Sequence, residues 1–459
     1  MRRFFPLIWW VFCLVPAGGF AQTSPADWAR LPVILARIIP PTFPANTVSV
    51  TNYGAVGDGV TDCTAAISNA IAACNAAGGG TVSVPAGRFL TGAIHLLSNV
   101  NLNVATNGTI SFTINSNAYL PVVYTRDQGI ECMNFSPFIY AYQQTNIAIT
   151  GQGTIDGQAN QAGAPWYNWE SSQAENNDFT LLENEANAGT PTTNRIFGAG
   201  YFLRPVFIQP FKCCNVLIQG VLLTNSPMWN LNPVYCTNVT IQGVTVNEGT
   251  SPNTDGCDPD SSTDVLIKNC SFNDGDDCSA IKAGRDADGL RVNIPCQNIV
   301  YQNCVFKAGH GGVTCGSETS GGITNVFAEN CLVNSSSQDN AIRLKTCDER
   351  GGYIENVYVR NWIIKNTQVG ITMTMSYSCT SGTNYPVLRN VDIRDCAFEK
   401  FTTPAGFGGI SQAISVSGLS ATYPITDVTI ANCRFATNAS TPNAYSFTNR
   451  IHLINLVTK

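Results

Sequence analysis

Apolar and polar residues alternate along most of this chain in short runs, and the runs share one phrase. The stretch from Asn215 to Val221 recurs from Asn238 to Val244, Asp264 to Cys270, Asn298 to Cys304 and Asn325 to Cys331. It continues from Asn356 to Trp362, Asn390 to Cys396 and Asp427 to Cys433, with weaker copies starting at Asn99 and Asn146. Each copy opens on Asn or Asp, alternates apolar with polar, and turns at residues that tolerate left-handed backbone. Successive starts lie 23 to 37 residues apart. One copy cannot bury its apolar face alone, but copies stacked about 4.8 Å apart can. The pattern predicts an all-β fold, a right-handed parallel β-helix of roughly ten coils. Tight hairpin signals are scarce, which disfavours an antiparallel sandwich.

Before the strands, Asp62 to Ala77 reads as a short amphipathic helix. Ala66, Ile67, Ala70, Ile71 and Cys74 form its apolar stripe, and three glycines, Gly78 to Gly80, end it. Such a helix would cap the open end of a solenoid. The organisation expected is a leader over 1–21, a proline-bearing lead-in over 22–50 and one β-helical catalytic domain over 51–459. Between Gly157 and Arg204 the repeat lapses into a long polar insertion. There Trp166, Tyr167 and Trp169 either stack on sugar rings or anchor the loop.

The leader reads as a secretory signal: Arg2 and Arg3, an apolar run from Phe4 to Val15, and small residues up to Ala21 before a cut at Gln22. The run is shorter than the roughly 18–20 residues of a membrane span, so the expected location is extracellular or periplasmic, with no membrane partner. Net charge is −6 and only 12 % of residues are charged, which argues against a nucleic-acid partner. An anionic polymer would have to be read by a few local cations. Removal of Cys13 leaves an odd number of the 18 cysteines, so a monomer, the expected state, keeps at least one unpaired. Cys270, Cys304, Cys331, Cys396 and Cys433 share a slot in the repeat with Val221, Val244 and Trp362, so they read as core. Disulfides are expected among Cys63, Cys74, Cys213, Cys214, Cys347 and Cys379.

Candidate chemistry gathers from Asn253 to Lys345. Asp276 stands 12 residues after Asp264, and His310 stands 12 after Asn298, so the two should stack on successive coils. Asp255 and Arg343 fall 17 and 18 residues after their own copy starts, on a neighbouring part of the coil. Arg343 and Lys345 share a strand face. Asp276 and Asp277 would point apart in a regular strand, and Gly275 predicts a bend that turns both into one cleft. Crowded carboxylates raise at least one pKa, which suits an acid and a base at a glycosidic bond. A calcium site is the competing reading, but it leaves His310, Arg343 and Lys345 without a task.

Asn253-Thr254-Asp255, Gly275-Asp276-Asp277, Gly309-His310-Gly311 and Arg343-Leu344-Lys345, in this order on a β-helix, resemble the polygalacturonases of glycoside hydrolase family 28. Ser226 to Val234 adds to the resemblance, which runs from Tyr53 to about residue 440. It implies inverting hydrolysis of α-1,4-linked galacturonate in pectin, with no metal or other cofactor. It implies Asp276 as general acid, Asp255 and Asp277 as activators of water, and His310 as support for the acid. Arg343 and Lys345 would hold the substrate carboxylate; Asn253 and Lys282 are counted with them. Lys282 and Arg285 add charge to the cleft or lie on a solvated turn. The stretches Asn253–Asp260 and Gly284–Gly289 look more like exo-acting members, and the insertion could close one end of a cleft. An endo-polygalacturonase, a rhamnogalacturonan hydrolase, a calcium-dependent pectate lyase and a non-catalytic pectin-binding β-helix are the alternatives.

Overall fold

The computed structural model describes residues 25–459 apart from 162, 250, 335–337, 380 and 403–409. The leader and Cys13 lie outside the described residues. Within them the chain winds as a parallel β-helix with three strand-bearing faces. Two faces are sheets of thirteen strands each, whose order along the sheet follows the order of the coils. The copies of the repeat build the first of these: Val216, Val239, Val265, Ile299, Val326, Val357, Val391 and Val428 stand side by side in register. Thirteen strands exceed the roughly ten coils expected. The additional coils come from Thr47–Ser49, Gly80–Val84 and Thr448–Ile454, where the phrase is too degraded to read.

Both ends of each copy sit in left-handed backbone. The opening residue has φ of 57° at Asn215 and Asn238 and 59° at Asn298, and the turn residue has 54° at Asn269 and 58° at Asn330. Asn side chains stack there, each amide donating to the residue one coil away: Asn238 to Asn215 at 2.7 Å, Asn298 to Asp264 at 2.9 Å, Asn390 to Asn356 at 2.6 Å. A second ladder climbs the turns through Asn303 to Asn269 and Asn361 to Asn330. Position and composition are thus tied: Asn tolerates αL and carries an amide that bridges coils.

The slot after the turn points inward, as expected. Val221, Val244, Cys270, Cys304, Cys331, Trp362, Cys396 and Cys433 are all buried. The one disulfide among the described residues joins Cys347 to Cys379, two of the six cysteines singled out. The capping helix runs Thr64–Ala76, with its apolar stripe buried as read. Gly79 and Gly80 end it at positive φ, and a Cβ there would strike the carbonyls of Asn99 and Asn46 at 2.5 and 2.3 Å.

The lead-in is structured. Its helices Pro25–Trp28 and Arg30–Leu35 fold back over the outside of the middle coils. Leu31, Ile34 and Ile38 pack on Leu266, Val300, Phe327 and Tyr358, and the Arg37 guanidinium donates to both carboxylate oxygens of Asp264. The insertion folds into Pro165–Trp169 and Gln173–Asn187. Trp166 is buried against Tyr119, Phe135 and Phe138, and Trp169 packs on Trp166 and Phe202. These two tryptophans anchor the insertion, while Tyr167 is exposed.

Candidate active site

The third face carries the site, and strand register decides who meets there. Bridges pair Cys257 with Ser279 and Asp260 with Lys282, which lays Asp255 beside Asp277. Ala280 pairs with Thr314, which lays Asp276 beside His310, as the equal offsets predict. The His310 N–H donates to the Asp276 carbonyl at 2.9 Å. Gly309 and Gly311 then pair with Gln338 and Asn340, which lays His310 beside Asp339. The chain bends at Gly275 and Asp276, and a Cβ on Gly275 would stand 2.0 Å from the Ser251 carbonyl. The bend turns both adjacent carboxylates to one side. One oxygen from each of Asp255, Asp276 and Asp277 lies within 4.8 Å of the others.

A water placed between an inverting acid and base usually separates their carboxyls by roughly 6.5–9.5 Å, and the nearest oxygens here are closer. The cause is register: residues paired on neighbouring coils stand about one strand spacing apart.

The three acids differ in their surroundings. Asp277 is fully buried, yet Lys345 Nζ donates to its Oδ2 at 2.7 Å and Arg343 to its Oδ1 at 3.2 Å. Thr314 Oγ1 donates to Oδ1 at 3.0 Å. Burial opposes its charge, but the two cations outweigh burial and hold it well below the carboxylate range. Asp255 is raised well above that range by burial first and then by Asp258 and Asp276, with Lys282 opposing. Asp276 keeps 20 % of its side chain exposed, and His310 Nδ1 lies 3.2 Å from its Oδ1. That contact, against the opposing effect of burial, raises the pKa of His310.

Arg343 and Lys345 therefore spend their charge on Asp277, under the ring of Tyr377 at 5.1 and 4.7 Å. Lys282 lies on no solvated turn. It is buried, with Glu318 at 3.1 Å, Asp255 and Asp258 at 3.7 Å each, and the Trp229 ring 4.2 Å away. Burial opposes its charge, but these three carboxylates outweigh burial and raise its pKa. Asn253 accepts from Arg204 at 2.8 Å, and Arg204 also holds Glu175 of the insertion. Arg285 bonds Glu183 of the insertion helix at 2.6 Å and lies 3.7 Å from Glu318. A hairpin of Val123–Asp127 and Ile130–Asn134 closes over the same flank, with Arg126 on Asp260 at 2.9 Å. With three side-chain cations already among the acids, the donor set suits no divalent ion.

Sequence reasoning missed Asp339, Glu318, Arg204 and Tyr377. Asp339 lies one coil beyond His310 but 14 residues after its copy start, where His310 lies 12 after its own, so equal offsets do not find it. The others sit on loops or insertions where the phrase gives no register.

Acids, a histidine and paired cations converging on one face of a β-helix define a glycosidase. The chain belongs to the glycosyl hydrolases family 28, whose model matches residues 199–449, more than half its length. A second model, rhamnogalacturonase A/epimerase, pectate lyase-like, matches residues 47–208. The chain is 29% identical over 391 residues to an exo-poly-alpha-D-galacturonosidase of Dickeya chrysanthemi, covering 81% of this chain and 64% of that longer protein. It is 28% identical over 361 residues to an endo-polygalacturonase of Pectobacterium carotovorum subsp. carotovorum, covering 77% and 78%. Among solved structures, an exopolygalacturonase from Thermotoga maritima superposes with a TM-score of 0.87 at 37% identity, covering 94% of this chain and 96% of that one.

Proposed function

We propose that this protein is a secreted polygalacturonase that removes residues from the end of α-1,4-galacturonate chains by inverting, acid/base hydrolysis. The carrying observation is the division of labour among the three acids. Asp276 is the exposed one, reachable by a glycosidic oxygen, and His310 Nδ1 stands 3.2 Å from its Oδ1. Asp277 is the fixed anion toward which a water can release its proton, and Asp255, which keeps its own proton by burial, helps orient that water.

Both Asp277 oxygens are tied by hydrogen bonds, which blunts it as a nucleophile and favours an activated water over a covalent intermediate. The short oxygen spacing is the one observation that favours retention instead. The opposed environments of Asp255 and Asp277 also allow Asp255 as the acid. Its burial turns the choice to Asp276, because a buried acid cannot meet a polymer's bridging oxygen.

The insertion helix and the hairpin flank the acids on one side, which supports exo action; the relatives include both exo- and endo-acting enzymes. The leader sequence and the Cys347–Cys379 disulfide support secretion. Polygalacturonate digestion followed by chromatography tests the reading. Monogalacturonate or one short product from the first minutes, with little loss of viscosity, is expected. An early ladder of oligomers would replace exo with endo action, and an unsaturated product absorbing near 235 nm would replace hydrolysis with elimination.

A further inference from the structure

We infer that Asp339 is a positioning residue for the acid, holding the His310 imidazole from the side opposite Asp276. Three successive coils put Asp276, His310 and Asp339 in one line. His310 Nδ1 faces Asp276 Oδ1 at 3.2 Å, and His310 Nε2 faces Asp339 Oδ2 at 3.7 Å, an ion-pair distance. Neighbours fix the arrangement: Asn340 Nδ2 donates to the His310 carbonyl at 2.9 Å, and Thr367 Oγ1 donates to the Asp339 carbonyl at 3.3 Å. Asp339 is buried and His310 is not: their side chains are 11% and 42% exposed.

The consequence is electrostatic. An imidazolium between two carboxylates is stabilised by both, so His310 keeps its proton to a higher pH than it would beside Asp276 alone. Asp276, Asp339 and Asp277 all face His310 and favour its charge. Asp339 is itself pushed up to about 6 by burial, with His310 and then Arg343 opposing and Asp277 and Asp276 adding to the rise. It is therefore ionised through the neutral range, where it supports the imidazolium. In Asp339→Asn the shape remains and the charge goes.

The kinetic part of this inference rests on the acid reading above, but the titration part does not. The chain has three histidines, so ¹⁵N-histidine NMR of the full chain can follow His310 on its own. In Asp339→Asn its titration midpoint should fall by about 0.5–1 unit, and Asp339→Glu, which keeps the anion, should retain more than half of the wild-type value's elevation. On polygalacturonate, the alkaline limb of kcat/KM should move down by a similar amount in Asp339→Asn, with KM unchanged. An unmoved His310 midpoint in the folded Asn variant overturns the inference. So does a loss of rate that is equal at every pH. If Asp339→Asn does not fold, Asp339→Ser takes its place, and an unmoved His310 midpoint in that variant overturns the inference equally. A wild-type enzyme that leaves polygalacturonate uncut refutes the proposed function and leaves the NMR result to decide Asp339.

Discussion

Lys345 offers the sharpest test of how this site divides its charges. The sequence assigns it to the substrate carboxylate; the structure gives its ammonium to Asp277 at 2.7 Å. Lys345→Met keeps much of the side chain's volume and removes that bond. A hydrogen bond to a charged group contributes about 1.5–3 kcal/mol, which at about 1.36 kcal/mol per unit is about 1–2 units on the Asp277 carboxyl. Arg343 remains at 3.2 Å, so the lower end applies. The acid limb of kcat/KM should rise by about one unit, with about tenfold loss on that limb and recovery toward neutral pH. Stability follows the sign of the shift. A carboxylate depressed in the folded state stabilises above its unfolded value, near 3.9, and loses that contribution as pH falls. The Tm deficit of Lys345→Met should therefore be largest near neutral pH and shrink in acid. The assay is a pH series of initial rates on polygalacturonate and on highly methyl-esterified pectin, beside thermal melts. Losses should match on the two substrates. A loss confined to the anionic substrate, with the acid limb unmoved, would refute this reasoning and return Lys345 to the substrate.

Asp276→Asn should lower turnover about 10²–10⁴-fold while leaving the circular-dichroism spectrum intact; near-normal turnover would transfer the acid role elsewhere, with Asp255→Asn the next variant to assay. NMR of the first products should register the β-anomer before mutarotation, and an initial α-anomer would establish retention. Gly275→Ala places a Cβ against the Ser251 carbonyl and should cost about 1–3 kcal/mol of stability. It should also cost activity beyond that, because the bend that turns Asp276 moves; an unchanged melt and rate would show that the bend is dispensable.

The coil was legible because its phrase is tied to geometry. Asn or Asp at the opening, apolar residues at alternate positions and a buried residue after the turn each answer a constraint that recurs every coil. The same arithmetic stacked Asp276 on His310. It could not reach Asp339, which stands 14 residues after Asn325 where His310 stands 12 after Asn298, because the segment between the two strands is two residues longer in that copy. The pairing of Asp255 with Asp277 escaped it as well, since they stand 17 and 13 residues after their copy starts, and an offset says nothing about how close side chains come when the backbone bends at Gly275. What stayed hidden lies off the repeat. The hairpin carrying Arg126 and the helix carrying Glu183 are fixed by single tertiary contacts, Arg126 to Asp260 and Arg285 to Glu183, and such contacts leave no periodic trace. For Lys282 the sequence left cleft and solvated turn both open, because nothing in a local stretch announces that Glu318, 36 residues later, will bury it.

The asparagine ladders bear on how such an enzyme can change. Because the amides reset alignment at every coil, a connecting segment can lengthen or shorten without shifting the strands on either side. Spacings of 23 to 37 residues between copies are tolerated in this one chain. The third face, where the acids sit, is reached through those elastic segments. New walls can therefore be grafted beside the acids while the acids hold still, and a set of loop swaps confined to the stretches between the acid-bearing strands and the opening residue of the next copy, such as the one carrying the helix Asp286–Val292, would be a rational library for altering which chain end, or which pectic branch, the cleft admits.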